Sequence, residues 1–107
     1  MIARIWHGWT TAEDADAYEN LLRAEVFPGI RAKQIPGFER IELFRRSFEP
    51  ANEVEFMTVM WFTGLDAVKA FAGEDYAASV VPHAASVLLT RFDHRSRHYE
   101  VREQQNA

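Results

Sequence analysis

The run Val54-Glu55-Phe56-Met57-Thr58-Val59-Met60-Trp61-Phe62 most constrains what this chain can become. It is almost unbroken in apolar residues and rich in β-branched and aromatic side chains, the pattern of a strand buried on both faces. Side chains alternate along a strand, so Phe56, Met60 and Phe62 point one way and Met57, Val59 and Trp61 the other. Helices of the same chain can cover one face. The other needs a second cover, and a chain of 107 residues has little left to supply it. The run therefore predicts a central strand in a sheet whose open face meets a partner.

The flanking residues supply the rest of a fold. Met1 to Trp9 reads as a second apolar strand, with Gly8 marking a bulge or a close approach. Thr10-Thr11-Ala12-Glu13-Asp14 starts a helix, capped through Thr10 with Glu13 or Thr11 with Asp14. Ala15, Tyr18, Leu22, Val26 and Ile30 recur at helical spacing, and Pro28-Gly29 predicts a kink. A strand from about Phe38 to Phe48 turns polar at its far end, as suits an edge. Glu49 to Glu53 is the turn of an antiparallel hairpin into the Val54 strand. Thr63-Gly64-Leu65-Asp66 repeats the Thr-led helix start, Leu65, Val68, Phe71 and Ala72 form an apolar stripe, and Gly73 ends it. Asp75 to Val80 suggests one more helical turn, stopped before Pro82. His83 to Leu89 suits a helix or a strand, and Arg91 to Val101 reads as the last strand. One domain is expected over residues 1–103, with a frayed tail at 104–107.

The order β-α-β-β-α-β is that of a ferredoxin-like α+β fold: a four-stranded antiparallel sheet with two helices on one face. In this topology the first and third strands are central, and here those are the two most apolar ones. The large apolar groups left on the open face predict a homodimer through it.

Charge and composition narrow the function classes. A net charge of −4 argues against broad attraction to nucleic acid. The absence of Cys excludes a disulfide framework and thiolate metal sites. No apolar run reaches the ~18 residues of a membrane helix, and the first residues lack a signal core, so a cytoplasmic protein is expected. There is no glycine-rich phosphate loop, His-Glu-x-x-His or nucleophile elbow. The four His fall on strands and loops that do not converge, so no metal site is expected.

Several residues carry two readings each. Arg4 is a charge in an apolar central strand, and a buried Arg must be paired or hold an anion. It either bridges to Glu55 or Glu100 or orients a carboxylate, phenolate or enolate. Trp61 either packs at its strand end or walls in a planar ligand. Trp6 and Trp9 lie on opposite faces, one toward the helices and one toward the partner side. His83 is either an exposed loop residue or a proton acceptor or ligand. His7 shares a face with Ile5 and Trp9, as a buried neutral ring or a base. His98 is a structural strand residue or a dimer contact, and His94 faces solvent. Tyr18 and Tyr76 offer a phenol to a pocket or pack between helix and sheet.

Met1 to Gly8 with the Thr-capped helix, the Glu55 to Trp61 strand, the Leu65 to Phe71 helix and His98-Tyr99-Glu100-Val101 together resemble the dimeric α/β-barrel superfamily. Within it they look most like the antibiotic biosynthesis monooxygenase-like group, over nearly the whole chain. The resemblance implies a homodimer whose two sheets form one barrel, with a pocket between sheet and helices in each subunit. The group includes cofactor-free quinone-forming oxygenases and haem-degrading monooxygenases. Trp61 matches the Trp that both branches carry at the end of the third strand. Met57 stands where the quinone-forming branch has an Asn, and Trp6 or His7 where the haem-degrading branch has one. His83 is the nearest counterpart of the haem-ligating His. What the resemblance implies is a cofactor-independent monooxygenase acting on a small aromatic or polyketide-like compound. His83 or His7 would take a proton, Arg4 would stabilise the anion, and Trp61, Trp6, Met57 and Tyr76 would line the site. The alternatives are a haem-binding monooxygenase with His83 as axial ligand, and a non-catalytic dimeric ligand-binding or stress-related protein.

Overall fold

Strand pairing in the computed structural model, which describes residues 1–107, centres on β1 (Ile2–Thr11) and β3 (Glu53–Phe62). They run antiparallel in unbroken register from Ile2 opposite Phe62 to Thr11 opposite Glu53. β2 (Phe38–Phe48) pairs with the outer edge of β3. β4 (Arg91–Phe92) and β5 (Arg97–Glu100) both pair with the outer edge of β1. The sheet is therefore ordered β2-β3-β1-β4, with β5 continuing beside β1. This is the expected ferredoxin-like α+β arrangement, with the first and third strands central.

One expectation is corrected: the fourth strand is two strands, so the sheet has five. Asp93 exchanges bonds with β1, its Oδ2 accepting the His7 N–H at 3.0 Å and its N–H donating to the His7 carbonyl at 2.9 Å. The chain then leaves β1 to serve the 76–79 segment. The His94 carbonyl accepts the Ser79 N–H at 3.0 Å, and Arg95 bridges to Ala78.

Helix α1 (Ala12–Leu21) begins at Thr11, whose Oγ1 accepts the Asp14 N–H at 3.3 Å, the second of the two expected caps. It continues through a π-helical turn, Leu22–Val26, into α2 (Phe27–Ala32). The expected kink takes this form because Pro28 has no N–H and its ring crowds the Ala24 carbonyl, so the preceding turn widens. α3 (Leu65–Ala72) ends at Gly73, at φ 89°. Its start departs from expectation: Gly64 is the N-cap, no side chain caps it, and the Thr63 N–H donates to the Gly37 carbonyl at 2.8 Å. Gly37, at φ 86°, must be glycine, since a Cβ there would meet Thr63 Oγ1 and lie 2.8 Å from Ala67 Cβ. The ambiguous His83 stretch contains one helical turn, α4 (His83–Ser86). The turn of helix expected over Asp75 to Val80 does not form. The carbonyls of Tyr76, Ala77 and Ala78 are taken by Arg4, the Ser96 N–H and Arg4 again.

Ile2, Arg4, Trp6, Gly8 and Thr10 of β1 face the helices together with Val54, Phe56, Thr58, Met60 and Phe62 of β3. The core has two centres. Tyr18, Leu22, Val54 and Phe56 form one, and Met60, Phe62, Ala67 and Val68 the other. Each large side chain so buried contributes roughly 1.5–3 kcal/mol. On the opposite sheet face Ala3 and Val59 are buried among their neighbours, while Phe44 is 46% and Tyr99 50% exposed. No helix is long and apolar enough to cross a membrane.

Candidate functional site

Antiparallel partners share a sheet face, and register gathers one group of side chains under the helices. Arg4 lies opposite Met60 on one side and His98 on the other, and Trp6 lies opposite Thr58. Between this patch and the helices is a cavity of about 60 Å³. Leu22, Val26 and Phe27 roof it, Phe71 and the Val80–Pro82 stretch wall it, and Arg4 is the one charged side chain in its lining. It continues outward through Val26, Ile30, Phe71, Val80 and Pro82 into a groove of about 330 Å³, with Glu25 and Lys33 also in that lining.

Arg4 is 4% exposed and has no carboxylate partner. Its Nη1 donates to the Tyr76 carbonyl and approaches His98 Nε2 at 3.0 Å, and its Nη2 donates to the Ala78 carbonyl at 3.0 Å. The Phe71 ring lies 5.5 Å from the guanidinium carbon. Burial lowers the Arg4 pKa to about 10, which still leaves it charged at neutral pH. Arginine accepts no hydrogen bond, so His98 Nε2 must be the acceptor, and the ring is the neutral tautomer with its proton on Nδ1. Burial first, and the Arg4 charge second, hold the His98 pKa below its usual value. The salt bridge expected to Glu55 or Glu100 does not form. Glu55 points to the opposite face, 3.9 Å from both His7 and Arg46, and Glu100 is exposed at a strand end beside Arg102.

Trp6 is held by its Nε1, which donates to Ser79 Oγ at 3.0 Å and to the Asp93 carbonyl at 2.8 Å. Gly8 lets the ring lie against β1: a Cβ there would be 2.8 Å from it. This is the close approach the glycine signalled, with no bulge in the register. Ser96 is 6% exposed and lines the cavity, and its Oγ has no hydrogen-bond partner. Its N–H donates to the Ala77 carbonyl, so Arg4 and Ser96 are fastened to the same short segment.

The structure thus brings some of the residues singled out by sequence to the cavity and separates others. Arg4 and Trp6 line it. Tyr76 serves it through its carbonyl, while its ring stands edge-on to His98 at 5.3 Å. Trp61 and Met57 lie on the opposite sheet face, because side-chain alternation puts odd-numbered β3 residues there. Trp61 Nε1 donates to Glu42 at 2.6 Å, and the Arg40 guanidinium carbon sits 4.6 Å from the ring centroid. His7 is on that face too, 2.9 Å from Asp93 Oδ2 and stacked on Trp9. His83 is exposed at the start of α4, outside the lining of both cavity and groove. Nothing in the sequence pattern marks Ser96. The place of His98 follows from strand register, since it falls opposite Arg4.

The arrangement does not fit haem. The enclosed space is far below the roughly 300 Å³ at which small-molecule pockets begin. The wider groove presents no histidine to an iron.

No family model matches the chain, and no curated protein matches its sequence. Solved structures do share the fold. A candidate antibiotic biosynthesis monooxygenase from Deinococcus radiodurans superposes with a TM-score of 0.63 at 18% identity, over 100% of this chain and 98% of its own. A mutant of SnoaB, a cofactor-independent oxygenase from Streptomyces nogalater, gives 0.57 at 20% identity, over 96% and 95%. HapK from Hahella chejuensis gives 0.56 at 18%, over 98% and 97%. The chain therefore shares its fold with these proteins, as the sequence resemblance led us to expect.

Burial of His98, with the charge of Arg4 added, makes stability pH-dependent. The unfolded chain takes up a proton at His98 from about pH 6.5 downward, and the folded chain only at lower pH. Stability contributed by the neutral ring is thus complete above that pH and lost as pH falls through the folded pKa. Urea unfolding midpoints at pH 7.5 and 5 should fall more for the wild type than for His98→Gln. An equal fall in both contradicts the assignment.

Proposed function

We propose that this chain is a small monooxygenase-like enzyme that uses no organic cofactor. Its substrate is an aromatic or polyketide-like compound held between sheet and helices. The observation that carries this reading is Arg4, a buried cation with no carboxylate partner, set in the wall of an apolar cavity. The fold shared with SnoaB, a cofactor-independent oxygenase, supports it. Beside Arg4 the ionised form of an acidic C–H or phenol is favoured over the neutral form. For an anthrone, the proton leaves to water and the electron-rich anion passes one electron to dioxygen. Recombination of the two radicals forms a C–O bond. Loss of water then leaves a ketone, so that CH₂ and O₂ become C=O and H₂O. Phe71, which lines both the cavity and the groove outside it, flanks the ring. Oxygen uptake with a hydroxyanthrone should exceed buffer for the wild type, and Arg4→Gln should lower it by about 10²-fold or more. A wild-type rate equal to that of buffer contradicts enzymatic activity.

A second reading is favoured by one feature: no histidine or carboxylate lines the cavity to accept a proton. That suits a non-catalytic binder of small ligands, and the same oxygen measurement separates the two.

The assembly in this reading is a cytoplasmic homodimer, joined through the open sheet face. Phe44 and Tyr99 are exposed there beside Met57, Trp61 and Trp9, large side chains that a partner sheet would bury. Sedimentation at micromolar concentration should give a dimer, shifted toward monomer by Phe44→Asp. A stable wild-type monomer contradicts it.

A further inference from the structure

Arg4 and Ser96 together present more hydrogen-bonding capacity than the protein uses. A guanidinium carries five N–H donors. Three are directed at the Tyr76 carbonyl, His98 Nε2 and the Ala78 carbonyl, which leaves two with no protein partner. The Ser96 hydroxyl is buried and unpartnered in the same lining. A buried hydroxyl without a partner is destabilising, and so is a buried cation without a counter-charge. Both line a space whose other walls are mostly apolar, and the carbonyls of residues 76–78 bond the Arg4 guanidinium and the Ser96 N–H.

We infer that Arg4 and Ser96 form a two-donor seat for a single oxyanion, and that the ligand class is an amphipathic monoanion bound acid end first. This rests on the reading of the cavity as the ligand site and specifies what it selects. The seat holds one positive charge, so one carboxylate, enolate or phenolate is neutralised. A phosphate dianion would leave a net charge buried. About 60 Å³ admits little more than the acidic group, and the apolar body lies in the groove of about 330 Å³ outside it. There it meets Leu21, Ile30, Val80 and Pro82. Glu25 and Lys33 in the groove lining offset one another, so the groove offers an anion no net charge to match Arg4.

Calorimetry under nitrogen at pH 7 with 1-naphthoate and its neutral analogue 1-naphthalenemethanol tests this without oxygen chemistry. The wild type should bind the carboxylate at least about tenfold more tightly than the alcohol. Ser96→Ala, a one-atom deletion checked for folding by circular dichroism, should weaken naphthoate by roughly two- to tenfold and leave the alcohol unchanged. Arg4→Gln should abolish the preference. Equal affinity for the two compounds, or no effect of Ser96→Ala, overturns the two-donor seat while leaving the cavity as a binding site. Failure of both compounds to bind overturns the seat and the cavity reading together.

Discussion

A guanidinium buried in a central strand without a carboxylate beside it is the constraint on which this molecule's arrangement turns. Arg4 is the third residue of β1, where that strand is paired on both sides, opposite Met60 and His98, and its side chain is buried on the helix face. Its charge is instead met by dipoles: the Tyr76 and Ala78 carbonyls and the lone pair of His98. Those bonds take the carbonyls a helix would have used and hold residues 76–79 as an irregular strap across the end of the sheet. The strap in turn positions Ser96 and Ser79, and Ser79 with the Asp93 carbonyl fixes the Trp6 ring. One residue therefore accounts for the missing helical turn and for the polar end of the cavity. The break in the last strand follows from the strap, which draws residues 94–96 away from β1.

The two sheet faces have different chemistries. Toward the helices the side chains are Phe, Met, Val and Tyr around a single buried cation. On the open face, arginines lie over aromatic rings, Arg40 on Trp61 at 4.6 Å, Arg46 on Phe48 at 4.2 Å and Arg91 on Trp9 at 4.0 Å. Acids close this layer, with Glu42 at Trp61 and Asp93 and Glu55 at His7. Trp and Arg are the residues that protein–protein interfaces favour as anchors, which suits that face to a second subunit rather than to a small substrate.

Much of the fold was legible because strand patterning and hairpin chemistry are local. The alternation in Val54 to Phe62 placed every β3 side chain on its observed face, and the Thr11 cap and the Pro28 disturbance were written in single residues. The candidate site was less legible, because it is assembled from register and from loops. Parity alone separates Trp61 and His7 from Arg4 and Trp6, but parity does not say which face will enclose a cavity. Arg4 looked like one half of a salt bridge because Glu55 and Glu100 lie on strands that pair with β1. That Glu55 points away and Glu100 is exposed depends on three-dimensional placement. Ser96 lies in a charged stretch with no pattern at all, and only its burial against the strap sets it apart.

The central claim is that Arg4 is a counter-ion in waiting for a ligand on the helix side of the sheet. A crystal structure of the protein soaked with 1-naphthoate tests it most directly. The account predicts the carboxylate within hydrogen-bond distance of the Arg4 guanidinium and Ser96 Oγ, with the rings between Val26, Phe71 and Pro82. Naphthoate stacked instead against Trp61 on the opposite face, with Arg4 unengaged, would contradict it.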